Sequence, residues 1–127
     1  LAELYISKGE TQKSIEYYDL ACEIYIKFGD NSKKAEIKYK MGEIYLEFEE
    51  DSLKAINYFE EALEIFDEMG YIKQCALILH KLGDIYLDKG RIEMAISHFD
   101  EARKNYHEIK DSYNVDILNQ KIKTLKS

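Results

Sequence analysis

Leu82-Gly83-Asp84-Ile85-Tyr86 repeats, about forty residues on, the pattern of Met41-Gly42-Glu43-Ile44-Tyr45, and Leu1-Ala2-Glu3-Leu4-Tyr5 carries it a third time. Each copy is followed by a matching second segment. Ser14-Ile15 comes with Tyr18 and Ala21, Ala55-Ile56 with Phe59 and Ala62, and Ala95-Ile96 with Phe99 and Ala102. A recurrence at this spacing means that one supersecondary unit, unable to bury its apolar face alone, stacks on copies of itself to build a core. Function is then expected on the surface of the stack rather than in a single catalytic pocket.

Within each copy the apolar residues stand three and four apart, as in Ile15, Tyr18, Cys22 and Tyr25 or Ile56, Phe59, Leu63 and Phe66. That is helical spacing. Proline is absent, so glycines are expected to end the helices: Gly9 and Gly90 within units, Gly29 and Gly70 between them. Asp30, Asn31 and Ser32, and later Asp111 and Ser112, offer side-chain oxygens for amino-terminal caps. The pattern predicts a partial helix over 1–8, then helices over 11–28, 32–47, 52–68, 71–88, 92–108 and 112–126. Connections this short allow only antiparallel neighbours. Glu49-Glu50-Asp51 is one residue longer than the matching Gly9-Glu10 and Gly90-Arg91 turns, an insertion that belongs in a loop.

The size classes narrow the architecture further. Leu82-Gly83 with Tyr86, then Ala95, Phe99 and Ala102, resembles the tetratricopeptide repeat: a large-small pair and an aromatic on the first helix, then small, aromatic, small on the second. The second copy differs only in Met41, and the first keeps each size class with Ala2, Ser14 and Tyr18. The resemblance implies an all-α, right-handed solenoid of antiparallel helix pairs. It divides the chain into a partial repeat over 1–30, repeats over 31–69 and 70–110, and a capping helix over 111–127. The family's usual proline after the second helix is missing, and the repeat is longer than the common form, as in kinesin light chains and bacterial peptide-sensing regulators. Because Leu1 aligns with residues midway along first helices, the chain is expected to be the carboxy-terminal part of a longer protein. Leu1 and Leu4 are then an apolar edge open to weak self-association.

Composition excludes several classes. A formal charge of −7 opposes the counterion release on which phosphate binding depends, so no nucleic acid is expected. No apolar run reaches the roughly 18 residues of a membrane span, and no charged-then-apolar leader opens the sequence, which points to a cytoplasmic protein away from membranes. Cys22 and Cys75, more than one repeat apart, suggest buried thiols rather than a disulfide, and no Cys/His cluster suggests a metal. His80, His98 and His107 fall in no metal or catalytic motif, His98 and His107 reading as exposed positions, and there is no glycine-rich phosphate loop. Neither an enzyme nor a cofactor is expected.

In tetratricopeptide arrays the first helices line a concave groove that holds a peptide or partner helix. Carried onto this sequence, the groove positions are Glu36, Tyr39, Lys40, Glu43 and Glu47; then Leu77, His80, Lys81, Asp84 and Asp88; then Ile117, Gln120, Lys121 and Thr124. Glu43 and Glu47 stand one turn apart, as do Asp84 and Asp88, and the four carboxylates are expected to share one acidic stripe. The resemblance thus implies a protein or peptide partner, a basic or amphipathic segment. The lysine and asparagine pairs with which some members grip a terminal carboxylate are replaced here by Tyr39 with Glu43 and His80 with Asp84. Two other readings are a peptide-sensing domain of a bacterial regulator and an accessory segment of an enzyme whose chemistry lies upstream.

Overall fold

The computed structural model describes residues 8–48 and 50–127, and every element among them is an α-helix. In order these are α1 (Lys8–Phe28), α2 (Asn31–Glu47), α3 (Ser52–Glu68), α4 (Ile72–Asp88), α5 (Ile92–Glu108) and α6 (Ser112–Lys126). The partial helix expected over 1–8 and the first pentapeptide copy lie almost wholly outside the described residues. Two units are distinguished, residues 1–65 and 66–127.

The helices end as the glycines foretell, and two other residues, Glu50 and Lys110, join them in the left-handed region. Gly29, Gly70 and Gly90 all take positive φ, between 73° and 77°. At each, the following amide reaches back to a carbonyl five residues earlier: Asp30 to Tyr25, Tyr71 to Phe66 and Arg91 to Tyr86, all at 2.9 Å. This satisfies carbonyls that a helix end would otherwise leave bare. Lys110 does the same at the end of α5 without being glycine, with φ 61° and Asp111 N–H donating to Tyr106 at 2.9 Å. After α2 the corresponding bond spans one residue more, Asp51 N–H to Tyr45 at 2.8 Å, which places the inserted residue in the turn.

Three of the new helices, α2, α3 and α6, start on carboxylates, whereas α4 and α5 follow Tyr71 and Arg91 without a side-chain cap. Asp30 accepts from the Lys33 amide at 3.2 Å, Asp51 from Lys54 at 3.1 Å and Asp111 from Asn114 at 3.2 Å. The Asn114 side-chain amide also donates to Asp111, at 2.7 Å, and the two bonds hold this carboxyl below the usual range.

One expected break is absent. α1 begins at Lys8 and runs through Gly9 and Glu10. Glycine ends a helix only where the chain turns left-handed; kept helical it costs roughly 1 kcal/mol relative to alanine. Burial of Thr11, Ser14, Ile15 and Tyr18 on the next turns of α1 offsets that cost.

In the first unit α1 packs on α2. Met41, Ile44, Ile15 and Tyr18 form a core, with Ile37, Tyr45 and Tyr58 against it. Phe59, completely buried, covers Gly42 so closely that a Cβ there would stand 2.7 Å from the ring. In the second unit α5 packs on both α4 and α6, and Phe99 covers Gly83 in the same way. The small residues Ala55, Ala62, Ala95 and Ala102 are all fully buried. Both thiols, Cys22 and Cys75, are buried and unpaired, and burial pushes both up in pKa.

Candidate functional site: a cleft between α4 and α6

α4 and α6 flank α5 in the second unit and leave a cleft of about 510 Å³ between them. Helical spacing supplies its walls. His80, Asp84 and Leu87 follow one face of α4 at intervals of four and three residues, while Ile117, Gln120, Lys121, Thr124 and Leu125 follow one face of α6. Leu87, Ile117 and Leu125 make the apolar part of the lining; Asp84, Gln120, Lys121 and Thr124 make the polar part.

Lys121 ties the cleft together. Its ammonium donates to Asp84 Oδ1 at 2.9 Å and to His80 Nε2 at 2.8 Å, and lies 5.2 Å from the centre of the Phe99 ring. A lysine ammonium can only donate, so Nε2 must be the bare nitrogen and His80 the neutral imidazole. The surroundings agree. The His80 ring stands edge-on to Phe99 at 5.8 Å and to Tyr106 at 6.4 Å. Burial and then the Lys121 charge lower its pKa, against the opposing pull of Asp84. Arg103 on α5 adds a further tie to α6 by donating to Asn119 at 3.0 Å.

The second unit therefore brings together Asp84, Ile117, Gln120, Lys121 and Thr124 of the expected groove set around one cleft, with His80 joined through Lys121. Leu77, Lys81 and Asp88 do not line it. Leu87 and Leu125 do. Leu87 could have been found by extending the His80-Asp84 face by three residues, and Leu125 by taking the apolar stripe of α6 together with its groove positions.

The groove positions of the first unit are arranged differently. Tyr39 is half-buried, its ring 5.5 Å from that of Phe59, so it packs on the repeat aromatic much as His80 packs on Phe99. Glu36 and Glu47 are exposed, Glu36 pairing with Lys33 at 3.4 Å; Lys40 and Glu43 are half-buried and engaged with neighbours. Lys38, absent from the expected set, bridges to Glu61 at 2.8 Å and lies 5.3 Å from the Tyr58 ring. Tyr58 stacks on Tyr45 at 5.4 Å, and burial raises its phenol to about 12. The second unit places His98 against Tyr86 at 5.1 Å in the equivalent way. His98 is thus half-buried rather than exposed; its Nδ1 lies 2.8 Å from the Met94 carbonyl, which as an acceptor fixes the proton on Nδ1. Among the described residues no group of His, Cys, Asp and Glu is placed to hold a metal, and no helix is long and apolar enough to cross a membrane.

A family model described as soluble NSF attachment protein, SNAP, matches residues 2–124, nearly the entire sequence. The chain belongs to the SNAP family. A solved structure of BtubC (BKLC) from P. vanneervenii is similar to it, with a TM-score of 0.67 at 21% identity over 98% of this chain. The likeness extends over 60% of the BtubC chain and, at this identity, speaks for the fold alone. No curated protein matches the sequence. Together these place the SNAP-family chain among TPR-like helical repeats. The repeat architecture expected from the size classes stands, and the family shown is SNAP, with a tetratricopeptide-like fold. Small and aromatic residues at interhelical contacts report how helices pack, and that packing is shared by both.

Proposed function

We propose that this SNAP-family chain is a cytoplasmic protein-binding scaffold module, without catalysis of its own, that holds an amphipathic partner segment in the α4–α6 cleft. The observation that carries the reading is the cleft itself: about 510 Å³ between two helices, with Leu87, Ile117 and Leu125 side by side with Asp84, Gln120 and Thr124. Clefts between helices that combine apolar walls with a few polar groups suit a helix laid in by its apolar face. The exposed Asp88, one turn beyond Asp84, favours a segment whose polar side is basic. The family description, an attachment protein, supports a role in joining one protein to another. In the first unit, the α2 face bearing Glu36, Tyr39, Lys40, Glu43 and Glu47 is proposed as a second contact surface.

Thr124→Trp tests the cleft. Thr124 is exposed, so the indole fills the cleft without disturbing the core. Partners captured from lysate by the unsubstituted chain are expected to be lost with Thr124→Trp at unchanged melting temperature. Equal capture by both would move binding elsewhere.

A further inference from the structure

α1 carries two apolar faces, and among the described residues the first unit packs on only one of them. Thr11, Ser14, Ile15, Tyr18 and Cys22 are buried on the side that meets α2. Across the helix Tyr17, Leu20, Ile24 and Phe28 form a second stripe with spacings of three, four and four, and they remain 64%, 58%, 47% and 77% exposed. A helix that is apolar on two sides is built to lie between two neighbours. The later second helices keep only part of it: the positions equivalent to Tyr17, Ile24 and Phe28 are Tyr58, Ile65 and Met69 in the second repeat, and in the third only Ile109 stays apolar. Where α1 has Leu20, the equivalent positions of α3 and α5 are Glu61 and Glu101, both exposed.

The pattern is self-complementary. Turned end for end against itself, the stripe sets Tyr17 opposite Phe28 and Leu20 opposite Ile24, large residue facing large residue. The same rotation brings Glu16, on the stripe's flank, next to Lys27 of the opposing helix, and does so twice because the arrangement is two-fold symmetric. We propose that α1 is a self-docking surface, through which two copies of this chain pair their α1 helices antiparallel over Tyr17, Leu20, Ile24 and Phe28. The stripe runs about 18 Å along the helix, at 1.5 Å per residue. A contact of that length lies at the small end of specific interfaces, so the dimer is weak and reversible. Its residues lie wholly in the first unit, apart from the α4–α6 cleft, so either reading can fail without the other.

Sedimentation equilibrium of the 127-residue chain tests it, with circular dichroism to verify that each variant stays folded. The chain is expected to dimerise with rising concentration, and Leu20→Glu, which installs the residue of α3 and α5, to make it monomeric at unchanged helicity. Glu16→Lys is expected to weaken dimerisation by about threefold to tenfold, the range for two exposed ion pairs. Adding Lys27→Glu to Glu16→Lys should restore it. A strict monomer at every concentration overturns the proposal and leaves the stripe to a different protein. So does a dimer indifferent to Leu20→Glu, and failure of the double reversal to restore association overturns the antiparallel pairing.

Discussion

Gly83 lies directly under the ring of Phe99: a Cβ on Gly83 would stand 2.5 Å from Cε1 and 2.6 Å from Cδ1. Gly42 and Phe59 repeat the relationship in the first unit at 2.7 Å. Both rings are fully buried, so neither has room to withdraw, and any side chain on the glycine must push helices apart. Gly83→Leu is therefore expected to destabilise by about 3 kcal/mol or more through overpacking. Asp84→Ala, its neighbour, removes one side of a half-exposed ion pair and should cost less than about 1 kcal/mol. Denaturant titration of the two variants measures the contrast; similar midpoints would refute this account of the helix contact.

Lys110 is the converse case, a residue with a side chain holding the left-handed turn that glycine holds at 29, 70 and 90. The left-handed conformation costs an L-residue about 1–2 kcal/mol, part of which glycine gives back in unfolded-state entropy. Lys110→Gly is expected to raise stability by about 0.5–1 kcal/mol. Thermal melts would show it as a higher midpoint, and a lower one would count against the strain.

His80 makes stability depend on pH. Its neighbours are Asp84 and Lys81 on α4, Phe99 and Tyr106 on α5, and Lys121 on α6; burial and Lys121 outweigh Asp84 and lower its pKa from 6.5. A histidine whose folded pKa is depressed binds protons more readily when unfolded. Its contribution is then intact above about pH 6.5 and is lost as pH falls from there to the folded value. Urea titrations from about pH 7.5 to about pH 5 are expected to show wild type losing stability relative to His80→Phe across that window. In Lys121→Met the imidazole should titrate at higher pH, since the second-largest cause of the depression is gone. An unchanged NMR titration of His80 in that variant would contradict the contact.

Charge reversal tests the basic character assigned to the partner. Glu47 and Asp88 are both exposed, which makes them better targets than Asp84, whose reversal would set two lysines against each other at Lys121. Glu47→Lys with Asp88→Lys is expected to slow association with a partner recovered from lysate and to flatten its salt dependence, with little change in melting temperature. Equal on-rates across a salt series would remove the acidic faces from recognition.

What the sequence determined by itself is the local and the repeated: helices from the spacing of apolar residues, their ends from Gly29, Gly70 and Gly90, their caps from Asp30 and Asp111, and the close contacts from small residues recurring in register. These follow from periodicity and backbone preference, which each segment carries within itself. Gly9 escaped that logic because a glycine marks a helix end only where the chain turns left-handed. The site's electrostatics were decided by tertiary structure alone. Lys121 meets His80 and Asp84 across 41 and 37 residues of chain, converting a groove position read as acidic into a neutralised cluster. Tyr39, named as a groove position from the sequence, packs its half-buried ring on Phe59. Which charges meet and which rings are covered depends on ångström distances between helices, and those distances are set by packing, with Phe59 and Phe99 wedged over their glycines, rather than by any one segment.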